Sequence, residues 1–215
     1  MNFPLITDPW FYATAIPAVF LMGLAKSGFG SGFGALAVPI MALSVSVPQA
    51  AAIFMPLLLA IDVIGITAFR KDVDRRLLRF LLPWGLVGIA AGTLLFKLVS
   101  APVVAGIVGI LTLLFLGQRL LFPPSADAAP LPAWAGRWLI AAAGFTSFVA
   151  HAGGPPYSAY ILRLNLKPIV YTATAAYFYF IVNLSKWIPY AWLGLLDLRN
   201  FATSLVLMPV AFAGV

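Results

Sequence analysis

Four stretches of this sequence, 50–69, 77–98, 102–122 and 169–193, each run for about twenty residues with only one or two charges. As helices they are long enough to cross ~30 Å of hydrocarbon. A backbone in lipid must satisfy its own hydrogen bonds, and runs this long and continuous exclude barrel strands, so the spans are α-helical. Composition agrees: charged residues make up only 9% of the chain, against roughly 25% in a soluble domain. Too few remain to cover a polar surface. The first ten residues hold Asp8 and no base, which argues against a cleaved leader. There is no cysteine, so disulfides and thiolate metal sites are excluded.

Two regions depart from this pattern. Residues 10–25 and 35–47 are each shorter than the usual minimum of about 17 residues. Joined, they are far too long for one straight crossing. Between them lies "AKSGFGSGFGALAVP", with Gly28, Gly30, Gly32 and Gly34, two serines and Lys26. The same interruption recurs where 138–150 and 157–162 flank "HAGGPP". Each region reads as two short helices meeting at a break inside the bilayer, which is tolerated only where protein or a watery cavity surrounds it.

The two breaks open two similar units. "GFGSGFGALAVP" is answered by "GFTSFVAHAGGPP", and a proline-led span follows each, from Pro48 and from Pro168. Next come "DRRLLRFLLPWGLVG" and "DLRNFATSLVLMPVAFAG", both containing Pro-x4-Gly (Pro83/Gly88 and Pro209/Gly214). Internal repeats with paired broken helices point towards transporters. The expected fold is therefore an all-α polytopic transmembrane bundle built from two inverted-topology repeats. Each repeat opens with a broken helix or re-entrant hairpin followed by transmembrane helices. The first repeat is 1–122, a cytoplasmic linker is 123–136, and the second, incomplete repeat is 137–215. The last apolar run, from Phe201 to Val215, is too short to span, so the final helices are expected to be missing from this chain.

Charge placement tests that layout. With re-entrant hairpins, Arg70, Lys71, Arg75, Arg76, Arg79, Arg119, Arg137, Arg163 and Lys167 all fall on one side, the cytoplasmic one. Lys97 and Arg199 fall outside, and Lys26 and Lys186 lie in or near the membrane. The net charge of +7 then fixes topology, and "RKDVDRRLLR" needs no nucleic acid as a partner. The partners expected are the lipid bilayer of a cell inner membrane and a small anion; homo-oligomerisation stays open.

An interrupted helix exposes N–H groups and the positive end of its dipole, a ready anion site. Gly28, Gly30, Gly32, Gly153 and Gly154 allow close backbone approach, and Ser27, Ser31, Thr146 and Ser147 add hydroxyl donors. Lys26 brings a charge that costs at least ~2.5 kcal/mol mid-membrane. Glycines spaced four apart also pack transmembrane helices closely, and Lys26 near an interface would snorkel. Asp62 has two open roles, charge pairing with Lys26 or carrying a proton. Asn183 and Lys186 occupy roughly the corresponding place in the second repeat. Trp187, Tyr190 and Trp192 read as an interfacial belt. His151 is either a donor to the anion or a cap in the hairpin turn. With both lysines and Asp62 buried, the interior carries net +1, suited to a monoanion.

The segments "GLAKSGFGSGFGALAVPIMALSVSVPQAAA", "GFTSFVAHAGGPPYSAYILRLNLKP" and "YTATAAYFYFIVNLSKWIPYAWLGLLDLRN" resemble the TauE/SafE family of sulfite and organosulfur anion exporters. The resemblance implies a membrane permease that exports sulfite, a sulfonate such as sulfoacetate, or a related anion. It implies no cofactor, and a substrate role for the segments Lys26–Gly34, Thr146–Pro156 and Asn183–Lys186. A passive anion channel, or a transporter of another small organic anion, is the alternative. An intramembrane enzyme fits poorly: neither Ser27 nor Ser31 sits in Gly-x-Ser-Gly, no carboxylates pair, and the glycine run follows no strand.

Overall fold

The computed structural model describes residues 5–27, 31–121 and 129–215, and among these it is helical, with no strand. In chain order the helices are α1 (Pro9–Lys26), α2 (Ser31–Met41), α3 (Val47–Ala68), α4 (Arg75–Leu98), α5 (Ala101–Leu121), α6 (Ala133–Ala150), α7 (Gly154–Ile161), α8 (Pro168–Trp192) and α9 (Leu198–Ala213). A short 3-10 turn, Leu162–Leu164, follows α7. Both interrupted regions are thus pairs of helices, α1–α2 and α6–α7.

The starts of these helices are written locally. Asp74 and Asp197, which lead the two Asp-Arg segments, are N-caps whose carboxylates accept from Leu77 N–H (2.9 Å) and Asn200 N–H (2.6 Å). Asp8 does the same for α1, accepting from Trp10 N–H at 2.9 Å. Proline stands in the first turn of α1, α3 and α8, where its missing N–H costs nothing.

Each helix pair folds back on itself. Trp10 Nε1–H donates to the Leu43 carbonyl at 3.4 Å, and the Thr14 and Ser44 hydroxyls lie 2.6 Å apart. Both ends of α1–α2 therefore meet at one end of the bundle, where Gln49 of α3 also donates to Asn200 of α9 (3.2 Å). In the second pair Arg163 donates to the Ala129 carbonyl at 3.3 Å. That pair returns to the end where α8 begins, marked by the Asp74 N–H bonded to Thr174 at 3.1 Å.

Glycine sets two close helix crossings. A Cβ at Gly88 of α4 would run into the Ala141 carbonyl and the Phe145 nitrogen of α6, and one at Gly144 would run into the Gly85 carbonyl. A Cβ at Gly214, at the C-terminal cap of α9, would meet the Phe20 carbonyl and Leu24 nitrogen of α1, and one at Gly23 would meet the Ala211 carbonyl. The Pro-x4-Gly glycines are thus the contact points of α4 on α6 and of α9 on α1. A single residue offset relates Phe20 to Ala141, Gly23 to Gly144 and Leu24 to Phe145.

Among the described residues, three helices are long and apolar enough to cross a membrane by length and composition alone: Val47–Ala68, Arg75–Leu98 and Ala101–Gln118. The expected fourth span, α8, has 25 residues but does not meet that standard, because it carries Asn183, Ser185 and Lys186 in its C-terminal half. It packs on α3 and α4, and buries Asn183 and Lys186. The exposed tryptophans Trp10 and Trp192 lie at one end of the bundle, and Trp134 and Trp138 at the other, as interfacial belts would. Tyr190 is a correction to the expected belt: it is fully buried, and its hydroxyl donates to the Phe148 carbonyl at 2.7 Å. Position in sequence near Trp192 did not reveal that its helix face turns inward.

Candidate functional site

Polar side chains gather beside the C-terminal ends of α1 and α6, against α3 and α8. Lys26, in the last turn of α1, reaches Asp62 of α3, with Nζ 2.6 Å from Oδ1. Asn183 of α8 donates to the other oxygen of Asp62 at 2.5 Å. Both carboxylate oxygens are thus occupied, and this is the one ion pair among the described residues. The contact with Lys26 is the one the charge-pairing reading of Asp62 expects. Lys26 also lies 4.8 Å from the centre of the Tyr179 ring, a cation–π approach.

Lys186 is placed differently. It is fully buried, and its three protons go to the Ser147 carbonyl (2.8 Å), the Ser147 hydroxyl (2.9 Å) and His151 Nδ1 (3.0 Å). An ammonium group only donates, so Nδ1 accepts. His151 Nε2 lies 2.9 Å from the Ala51 carbonyl, which only accepts, so Nε2 carries the proton. With Lys186 protonated the ring is the neutral Nε2–H tautomer, and Lys186, unlike Lys26, meets no carboxylate among the described residues. Its compensation is the C-terminal end of α6, whose carbonyls and dipole favour positive charge.

The turn that makes this nest is short. His151 caps α6 in the left-handed conformation, with φ 51°. Thr146 Oγ1 lies 2.8 Å from the Ala142 carbonyl and 3.0 Å from that of Ala152, closing the turn from beneath. A Cβ at Gly153 would strike the Ala143 carbonyl, so only glycine lets the chain pass. Gly154 opens α7, but Pro155 and Pro156 follow it and supply no N–H. The positive end of α7 is therefore poor in backbone donors, and side chains must supply them.

Beside these groups lies a cavity of about 290 Å³. Lys26, Asp62, Ser147, His151, Gly154 and Asn183 line it, with Tyr157, Ser158 and Tyr179. Its other walls are apolar or aromatic (Met22, Leu58, Ile61, Phe69, Leu162, Tyr171) and reach towards the end of the bundle where α3 stops and α8 starts. Lys186 lies behind Ser147 and His151. Towards the opposite end the path is packed shut: His151 spans from Lys186 to Ala51, its ring 6.2 Å from Phe54 and 6.5 Å from Tyr190.

The residues picked from sequence sort accordingly. Lys26, Asp62, Ser147, His151, Gly154, Asn183 and Lys186 come together. Ser27 instead caps α1, its hydroxyl donating to the Leu24 carbonyl (2.9 Å), and Thr146 and Gly153 build the α6–α7 turn. Ser31 and Gly32 begin α2, while Gly28 and Gly30 lie outside the described residues. Sequence reasoning passed over Tyr157 and Tyr179. The signal was there for Tyr179, which stands four and seven residues before Asn183 and Lys186, on one helix face. No cluster of metal ligands occurs among the described residues.

The family model described as sulfite exporter TauE/SafE matches residues 15–215. Neither a curated protein nor a solved structure matches the chain.

Proposed function

From a chain that belongs to the sulfite exporter TauE/SafE family, we propose a multi-pass transporter of the cell inner membrane that exports a small sulfur oxyanion, held beside Lys26 and Lys186 between the two helix breaks. Members of this family are membrane transporters, which is consistent with a role other than catalysis. The observation that carries the proposal is Lys186. With Lys26 paired to Asp62, a protonated Lys186 leaves one positive charge next to the cavity. A monoanion completes that balance; a cation or a neutral solute does not.

The cavity is several times the volume of one water's ~30 Å³ share of liquid. It has room for a sulfonate with a short organic tail as well as for sulfite, the tail resting against Leu58, Ile61 and Phe69.

Two halves of opposite topology, 1–122 and 137–215 with the linker 123–136, fit the packing. The hairpins return to opposite ends, and the hairpin residues at the two glycine crossings match under one residue offset. The same offset pairs Lys26 with Ser147 and Asp62 with Asn183. In one half the lysine stands on the hairpin and reaches α3; in the other it stands on α8 and reaches the hairpin.

The end bearing Arg70–Arg79, Arg163 and Lys167 is cytoplasmic by the positive-inside bias, so the cavity reaches inward. Single cysteines in this Cys-free chain test the orientation. Cysteine at Ser46 or Leu198, both exposed, is expected to react with an impermeant thiol reagent from outside, and at Lys71 only from the cytoplasm. The reverse pattern overturns the orientation. Asn200 is a poor reporter because it is buried against Gln49.

Flux tests the function. A membrane potential negative inside drives a monoanion outward by ~2.3 kcal/mol per 100 mV. Sulfite or methanesulfonate efflux from proteoliposomes is expected to saturate, show counterflow and accelerate with that potential. Efflux indifferent to voltage argues against uncoupled export, and no flux of either anion overturns the substrate assignment.

A further inference from the structure

Two tyrosines that line the cavity carry buried hydroxyls with no hydrogen-bond partner. Tyr157 of α7 and Tyr179 of α8 both line the cavity, and both phenol oxygens are shielded from solvent and unpartnered. Their rings are packed 5.3 Å apart, and Tyr157 also rests on Phe178 at 5.2 Å. An unsatisfied buried hydroxyl costs about 1–3 kcal/mol, so two of them side by side call for a reason.

Resting on the anion-transport reading above, we infer that Tyr157 and Tyr179 are the donors that receive the oxygens of the substrate's head group. Three observations converge on this. The α7 N-terminus lacks N–H donors at Pro155 and Pro156, so the hairpin must offer side chains. Tyr157 is the first residue after those prolines. Lys26 approaches the Tyr179 ring at 4.8 Å, which brings an ammonium beside the phenols. Two phenol donors and one ammonium match the three acceptor oxygens of a sulfonate or sulfite better than the two of a carboxylate. The nearby Tyr171 hydroxyl is already 3.0 Å from Ser158 Oγ, which sets it apart from the pair.

Removing only the oxygens tests this. The purified chain, Tyr157→Phe, Tyr179→Phe and the double variant are titrated calorimetrically with methanesulfonate and with acetate, and melted in parallel. Each single variant is expected to bind methanesulfonate about ten-fold or more weakly, as for a hydrogen bond to a charged partner, and the double variant about a hundred-fold. Sulfonate preference over acetate should shrink with each hydroxyl removed. Melting temperatures should hold or rise, because an unsatisfied group is lost, whereas hydroxyls with a purely structural role would lower them. Methanesulfonate binding by the Phe variants within two-fold of the parent overturns the phenol assignment and leaves the sulfur-anion reading standing. Hydroxyl-dependent binding that favours acetate does the reverse. A parent chain that binds neither anion overturns both.

Discussion

Replacing Lys186 with methionine is expected to lower anion affinity by about a hundred-fold and to stop transport, while folded protein remains in the membrane. Methionine keeps the length of the side chain and removes its charge. The charge is what matters, because Lys26 is already neutralised by Asp62 at 2.6 Å and His151 is held neutral between Lys186 and Ala51. Without Lys186 the interior carries no net positive charge to draw in an anion. A unit charge ~6 Å from a monoanion contributes ~3 kcal/mol at an effective dielectric of ~20, which is about a hundred-fold in affinity. The substitution also frees α8 from the desolvation cost of a buried ammonium, so stability should change less than binding. The Ser147 carbonyl keeps its bond from the His151 N–H; the Ser147 hydroxyl and His151 Nδ1 each lose a donor. Titration with methanesulfonate, beside a melting curve, reads both effects. Affinity within a few-fold of the parent would show that the excess charge does not recruit the anion.

The second large effect is on assembly. Gly88→Val is expected to abolish stable folded protein, and Gly214→Val to weaken it in the same way at the other crossing. At Gly88 the new side chain meets the backbone of α6 at Ala141 and Phe145. Backbone within a helix cannot rotate aside as a side chain can, so the cost lies at or above the ~1–3 kcal/mol usual for overpacking. Gly106 on α5 is the control: no atom lies within 4 Å of its added Cβ. Gly106→Ala should be neutral, or stabilising by up to ~1 kcal/mol through helix propensity. Monodisperse yield in detergent and melting temperature measure all three. A Gly88→Val protein with the parent's melting temperature would remove the α4–α6 crossing from the account.

The boundaries of the helices were legible because hydropathy is a local property. The expected spans 50–69, 77–98 and 102–122 differ from α3, α4 and α5 by at most three residues at either end. The breaks were legible because glycine and proline act where they stand. The Lys26–Asp62 pair was also within reach, since the membrane interior offers a cation few partners. Less legible was which small polar groups face the cavity. Ser27 and Thr146 were as good candidates as Ser147, yet their hydroxyls are taken by carbonyls one turn away. The prolines at 155 and 156 were visible, but their effect on α7 as an anion site depends on where that helix starts.

The sequence alone determined an α-helical membrane protein with two interrupted regions and a basic end, because lipid forbids unpaired backbone and charge resists crossing it. Tertiary structure decided which cation stays uncompensated. Lys26 and Lys186 are equal on paper, but α3 brings a carboxylate to the first and the end of α6 brings only neutral acceptors to the second. Partners separated by dozens of residues are chosen by how helices cross, and at two close crossings, those of α4 on α6 and of α9 on α1, what sets the approach is the absence of a side chain on Gly88 and Gly214.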